Sequence, residues 1–171
     1  MAKRKYVTSK VLTKSAFVLL LLGPLAGATM ASAPIQSNCK AALTNECLAA
    51  MLTDMGYNPK ALSKGYLIII KQGTWTINMQ LVISLDGKRL GMNANLGTVT
   101  EESMTADQWK ALLISNGNIE PISFYYEPDR KKLYLHRSDI NQHLTTEIVS
   151  NEISNFAETV KATQNIWGFT H

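Results

Sequence analysis

Three histidines, two cysteines and one pair of adjacent glutamates are the residues whose types could do chemistry in this chain of 171 residues. His136 stands beside Arg137, His143 follows seven residues later, and His171 is the last residue. With Asp139, His136 and His143 could meet around a loop as base and orienter or as metal ligands, the minimum for a small hydrolase. Two solvated histidines at a loop edge are the simpler reading, and the hydrolase is a remote alternative. HExxH, GxSxG, a phosphate-cradling glycine loop and a dinucleotide fingerprint are all missing from the sequence. Glu101-Glu102 lies just ahead of a helical pattern, where acids favour the helix dipole without doing any proton transfer. No catalytic, cofactor-binding or metal-binding residue is therefore expected.

The cysteines depend on where the chain goes. Met1–Lys14 is basic, Ala16–Leu22 (AFVLLLL) is apolar, Gly23-Pro24 breaks the run, and Ala26-Gly27-Ala28 and Ala31-Ser32-Ala33 follow. That order of charge, apolar run and small residues is that of a secretory signal peptide, residues 1–33. The run falls short of the ~20 residues that span a bilayer, so a permanent anchor is the weaker reading and membrane contact is transient. Cleavage is expected between residues 28 and 33, and no cysteine stands at a lipoprotein position. In an oxidising compartment Cys39 and Cys47 would tend to pair. Inside one helix they would be about 12 Å apart, beyond the ~7 Å a bridge allows, so pairing requires the helix to start late, near Thr44 or Asn45. The other reading is two small buried residues of a longer helix.

Export also settles how to read the charge. The chain carries 17 basic and 13 acidic residues, with a pI near 9.1. Five of the basic residues, Lys3, Arg4, Lys5, Lys10 and Lys14, lie in the targeting segment, which leaves the body close to neutral. Nucleic-acid binding is excluded on that ground.

The elements that must position any site are legible from periodicity. Cys47, Leu48, Met51, Leu52 and Met55 give a helix over about 44–55, closed by Gly56 with Pro59 beyond. Residues 66–70 form a β-branched strand. From Trp75 to Leu85 every odd residue is apolar, a strand with one dry face, and Asp86-Gly87 turns the chain into a third strand that ends near Thr98. Thr105 and Gln108 form a capping box for a second helix up to Asn116-Gly117. On it Trp109, Leu112 and Leu113 converge on the core while Ile114 points outward. Strands at 122–127 and 132–137 flank Pro128-Asp129-Arg130, and a long helix covers about 143–164. Trp167 and Phe169 follow it, either folded back on the body or offered as apolar anchors. Residues 34–171 thus make a single α+β domain of order α-β-β-β-α-β-β-α, an antiparallel five-stranded sheet with helices packed on it.

This order, with the first helix ending in Asp54-Met55-Gly56-Tyr57, resembles the YbjN family and the class I type III secretion chaperones that share its fold. The resemblance runs from Cys47 to Val160. It is carried by Trp109 and Leu112, by Asn116-Gly117-Asn118 and Phe124-Tyr125-Tyr126, and by Lys132-Leu133-Tyr134-Leu135 and Asp139. It implies no catalytic motif. For the chaperones it implies homodimers that hold an extended segment of a client. The chain is read as an exported, periplasmic, non-catalytic protein-binding or chaperone-like module. It would hold a protein or peptide through an apolar patch, with Ile114, Trp167 and Phe169 as candidate contacts. A structural or regulatory homodimer is the alternative.

Overall fold

Thr44 decides where the first helix starts. Its backbone is extended and its hydroxyl accepts from the Cys47 amide at 3.2 Å, so α1 is Asn45–Asp54. Gly56, at φ 84°, ends it, and the Tyr57 amide reaches back to the Leu52 carbonyl. The computed structural model describes Cys39 and residues 41–168. The expected signal peptide and Phe169 lie outside the described residues.

Six strands follow: β1 (Lys60–Ala61), β2 (Tyr66–Gln72), β3 (Trp75–Ile83), β4 (Arg89–Thr98), β5 (Ile122–Glu127) and β6 (Lys132–Ile140). They form one antiparallel sheet in the order β1-β2-β3-β4-β6-β5. The sheet has six strands rather than the expected five. The added β1 is a two-residue edge strand, too short and too exposed to leave a period in the sequence. Gly65 makes its turn possible. It sits at φ 72°, and a Cβ there would lie 2.0 Å from the Leu81 carbonyl oxygen. Leu85 is not part of β3, because Ser84 and Asp86 fold the chain over. The Ser84 hydroxyl donates to the Asp86 carboxylate at 2.6 Å and the Lys88 amide donates at 3.1 Å. Those bonds hold the Asp86 carboxyl below the ordinary carboxylate range.

Register places Ile68, Met79, Ala94, Leu135 and Phe124 in one cross-sheet row. All five are buried in a single core with Leu48 and Leu52 of α1 and with Val149, Ile153 and Phe156 of α3 (Thr146–Ala162). The long helix starts at 146 and not at 143, because His143 has φ 54° and Thr145 supplies the cap. It turns Val149 inward and leaves Ile148 outside. A short α4 (Gln164–Trp167) is separate from it. The second helix, α2 (Ala106–Asn116), carries the expected Thr105–Gln108 capping box and packs along β5. The alternate residues Ile69, Asn78, Asn95 and Tyr125 stand exposed on the other face of the sheet.

Candidate protein-binding surface

The histidines do not assemble into a site. Positions 136 and 139 have opposite parity on β6, so His136 points to the open face and Asp139 to the helix-covered face. His136 Nδ1 lies 2.7 Å from Asn93 Oδ1, and its ring meets the edge of Tyr125. Burial pushes its pKa below the usual histidine value. Asp139 instead takes a forked pair of bonds from Arg137 at 2.9 to 3.1 Å, and Arg137 reaches on to Glu152 of α3 at 2.6 Å. His143 is exposed in the following loop. The hydrolase constellation is therefore not formed: β6 turns His136 and Asp139 to opposite faces, and His143 lies beyond its end. Among the described residues no group of three or more histidine, cysteine or acidic side chains could hold a metal ion.

Cys39 and Cys47 form a disulfide with Cα atoms 5.8 Å apart. The late start of α1 at Asn45 makes that distance possible, because Cys39 lies outside the helix and Cys47 in its first turn. The segment between them is pinned by Asn141, whose side chain accepts from the Leu43 amide and donates to the Leu43 and Gly87 carbonyls, each at 2.9 Å.

Of the candidate contact residues, Trp167 must be corrected. It is buried: its indole nitrogen donates to the Val160 carbonyl at 3.1 Å and to the Thr163 hydroxyl at 3.2 Å, and its ring meets Trp75 edge-on. A side chain engaged on all these sides is not an anchor for a partner. Ile114 is 57% exposed, as its helical phase requires. Leu113 departs from expectation at 72% exposed, because α2 lies along the sheet's edge and buries only Leu112 fully. Trp109 is held against Tyr126 with ring centroids 5.2 Å apart. Two consecutive aliphatic side chains thus stand in solvent on a helix that Leu112 and Trp109 hold to the body.

Asn116 has a role that sequence reading had assigned only to ending the helix. Its side-chain amide accepts from the Phe124 amide at 2.6 Å and donates to the Phe124 carbonyl at 3.1 Å, standing in for a strand on the outer edge of β5. On the open face Tyr125 stacks on Tyr134 at 5.0 Å. Burial and the neighbouring Tyr134 push the Tyr125 hydroxyl up to about 12. Alternation in β5 and β6 was the available signal for this cluster.

These features define an α+β fold with one helix-covered and one open sheet face, and solved structures share it. YbjN from E. coli matches with a TM-score of 0.54 and 12% identity, over 69% of this chain and 86% of that one. A chain of the ExsC–ExsE complex matches at 0.53 and 16% identity, over 72% and 92%. The HopA1–SchA chaperone–effector complex gives 0.49 and 10% identity, over 67% and 88%. At these identities the likeness is one of fold alone. No family model matches the sequence, and the curated proteins contain no match.

Proposed function

We propose that the chain is an exported, non-catalytic module that holds a protein or peptide partner through the apolar patch of α2. One observation carries this reading: Leu113 and Ile114 stand in solvent at consecutive positions of a helix held to the body by buried Leu112 and by Trp109 against Tyr126. A fixed apolar pair presented this way suits a partner's side chain, since nothing need be reordered to expose it. The fold supports the reading, because one of its solved examples was determined as a complex of ExsC with ExsE. Export rests on the order of residues 1–33, and the Cys39–Cys47 disulfide suits an oxidising compartment.

The test is capture from a periplasmic extract with two baits, the unsubstituted protein and Leu113→Glu/Ile114→Glu. A band retained by the first and lost from the second is expected. Equal capture by both baits would refute the α2 patch. A second reading, the homodimer, has its own support: a two-residue patch on a straight helix can pack against its own copy about a two-fold axis. It expects unsubstituted protein to sediment as a dimer, and the Ile114→Glu variant as a monomer.

A further inference from the structure

Three of the large exposed apolar side chains gather at one end of the sheet, away from α2. Leu85 is 100% exposed in the β3–β4 turn, Ile140 is 61% exposed at the last residue of β6, and Leu62 is 40% exposed in the β1–β2 turn. Leu62 and Leu85 border the same depression, and Ile140 pairs with Arg89 across the ladder. The next residue, Asn141, donates its amide to the Lys88 carbonyl at 2.8 Å, which ties the end of β6 to the tip that carries Leu85. None of the three side chains is enclosed by the fold, and a fully exposed leucine at a turn tip adds nothing to the core.

Charge frames these tips. Lys64, Lys88 and Arg89 are exposed on the same turns. The acids at this end are Glu46, Asp86, Glu147 and Asp139, the last answered by Arg137. Asp86 and Glu46 hydrogen-bond to hydroxyls and backbone amides of their own turn and helix, and Glu147 sits in the first turn of α3. The chain also enters the body here. Cys39 is tied to the first turn of α1, and the Ala41 carbonyl accepts from the His143 amide at 3.2 Å.

We propose that this end rests on a bilayer containing anionic phospholipid. Leu62, Leu85 and Ile140 enter the boundary between headgroups and acyl chains, and Lys64, Lys88 and Arg89 lie against the lipid phosphates. The α2 patch is left free, so a partner could be held while the domain sits on the membrane. Such a contact outlasts the transient one expected of a signal peptide, because it belongs to the folded body.

The test uses the full chain with vesicles of phosphatidylethanolamine and phosphatidylglycerol. Because Ala16–Leu22 could bind vesicles by itself, the readout must be local. In Leu85→Trp, a substitution at a fully exposed site, the emission gained over the unsubstituted protein should shift to the blue on binding. It should also fall about twofold with lipids brominated near the headgroup, as expected for an interfacial side chain. Adding Lys64→Gln, Lys88→Gln and Arg89→Gln should restore most of that emission. In Leu113→Trp the gained emission should not change. An unshifted, unquenched signal at position 85 in vesicle-bound protein would overturn the proposal, as would equal quenching at both positions or a failure to bind. Protection of the same tips by a protein partner, without vesicle binding, would overturn it in favour of a protein surface.

Discussion

Asn141 is buried and answers three backbone groups at once, so its loss leaves the Leu43 amide and carbonyl unpaired away from water and frees the Gly87 carbonyl. Asn141→Ala should cost about 2 to 3 kcal/mol in urea unfolding, the scale for stranding buried polar groups. The disulfide beside it closes a loop whose cysteines are 8 residues apart. Chain entropy gives it about 2 to 3 kcal/mol, so Cys39→Ala/Cys47→Ala should lower the urea midpoint accordingly. Alkylation of denatured, unreduced protein should find no free thiol at either position. At His136 the neutral ring is the form favoured by burial. As pH falls below the usual histidine value near 6.5, the unfolded chain takes up a proton before the folded one does, so stability drops. His136→Gln should flatten that part of the stability profile relative to the unsubstituted protein, and thermal melts at stepped pH would measure it.

The elements show what the sequence could and could not announce. β3 and β4 alternate over nine and ten residues, and their inner residues Ile77, Met79, Leu81, Leu90, Met92, Ala94 and Leu96 are buried as the period requires. The starts of α1 and α2 were legible because a threonine hydroxyl satisfies a free amide in a fixed position. β1 was not, since two residues cannot establish a period. Leu113 was misplaced for a different reason. A helical wheel gives direction without saying what lies there, and α2 packs mainly against the edge of β5 and the short α4, which leaves Leu113 outside. Trp167 follows the last long helix with no period to orient it, so only its contacts with Trp75 and Val160 decide its place. Asn116 belongs to this scale too, because it closes an edge that would otherwise be open to pairing. Asn116→Ala should cost about 1 to 3 kcal/mol, with faster hydrogen exchange at the Phe124 amide as the local readout. Ile114→Glu, by contrast, should change stability by less than about 0.5 kcal/mol, because the side chain already stands in solvent.

At the scale of the whole molecule, one sheet face is sealed by α1 and α3, and the two functions proposed rest on surfaces outside that core, the α2 patch and the tips around Leu85. Fold class was legible from the order of elements alone. The site was only half legible, because Ile114 has a neighbour that spacing assigned to the core. Export, as proposed, should appear as an intact mass lacking the first 28 to 33 residues in periplasmic protein. The central claim is that α2 holds another protein. Its most direct test is a photoreactive amino acid at position 113 or 114, irradiated in living cells, followed by mass spectrometry of the crosslinked product. The account predicts a product in which the chain is joined to a different protein, and no such product from the reagent at exposed Asn78. A product joining the chain only to its own copy, or no product at either α2 position, would contradict it.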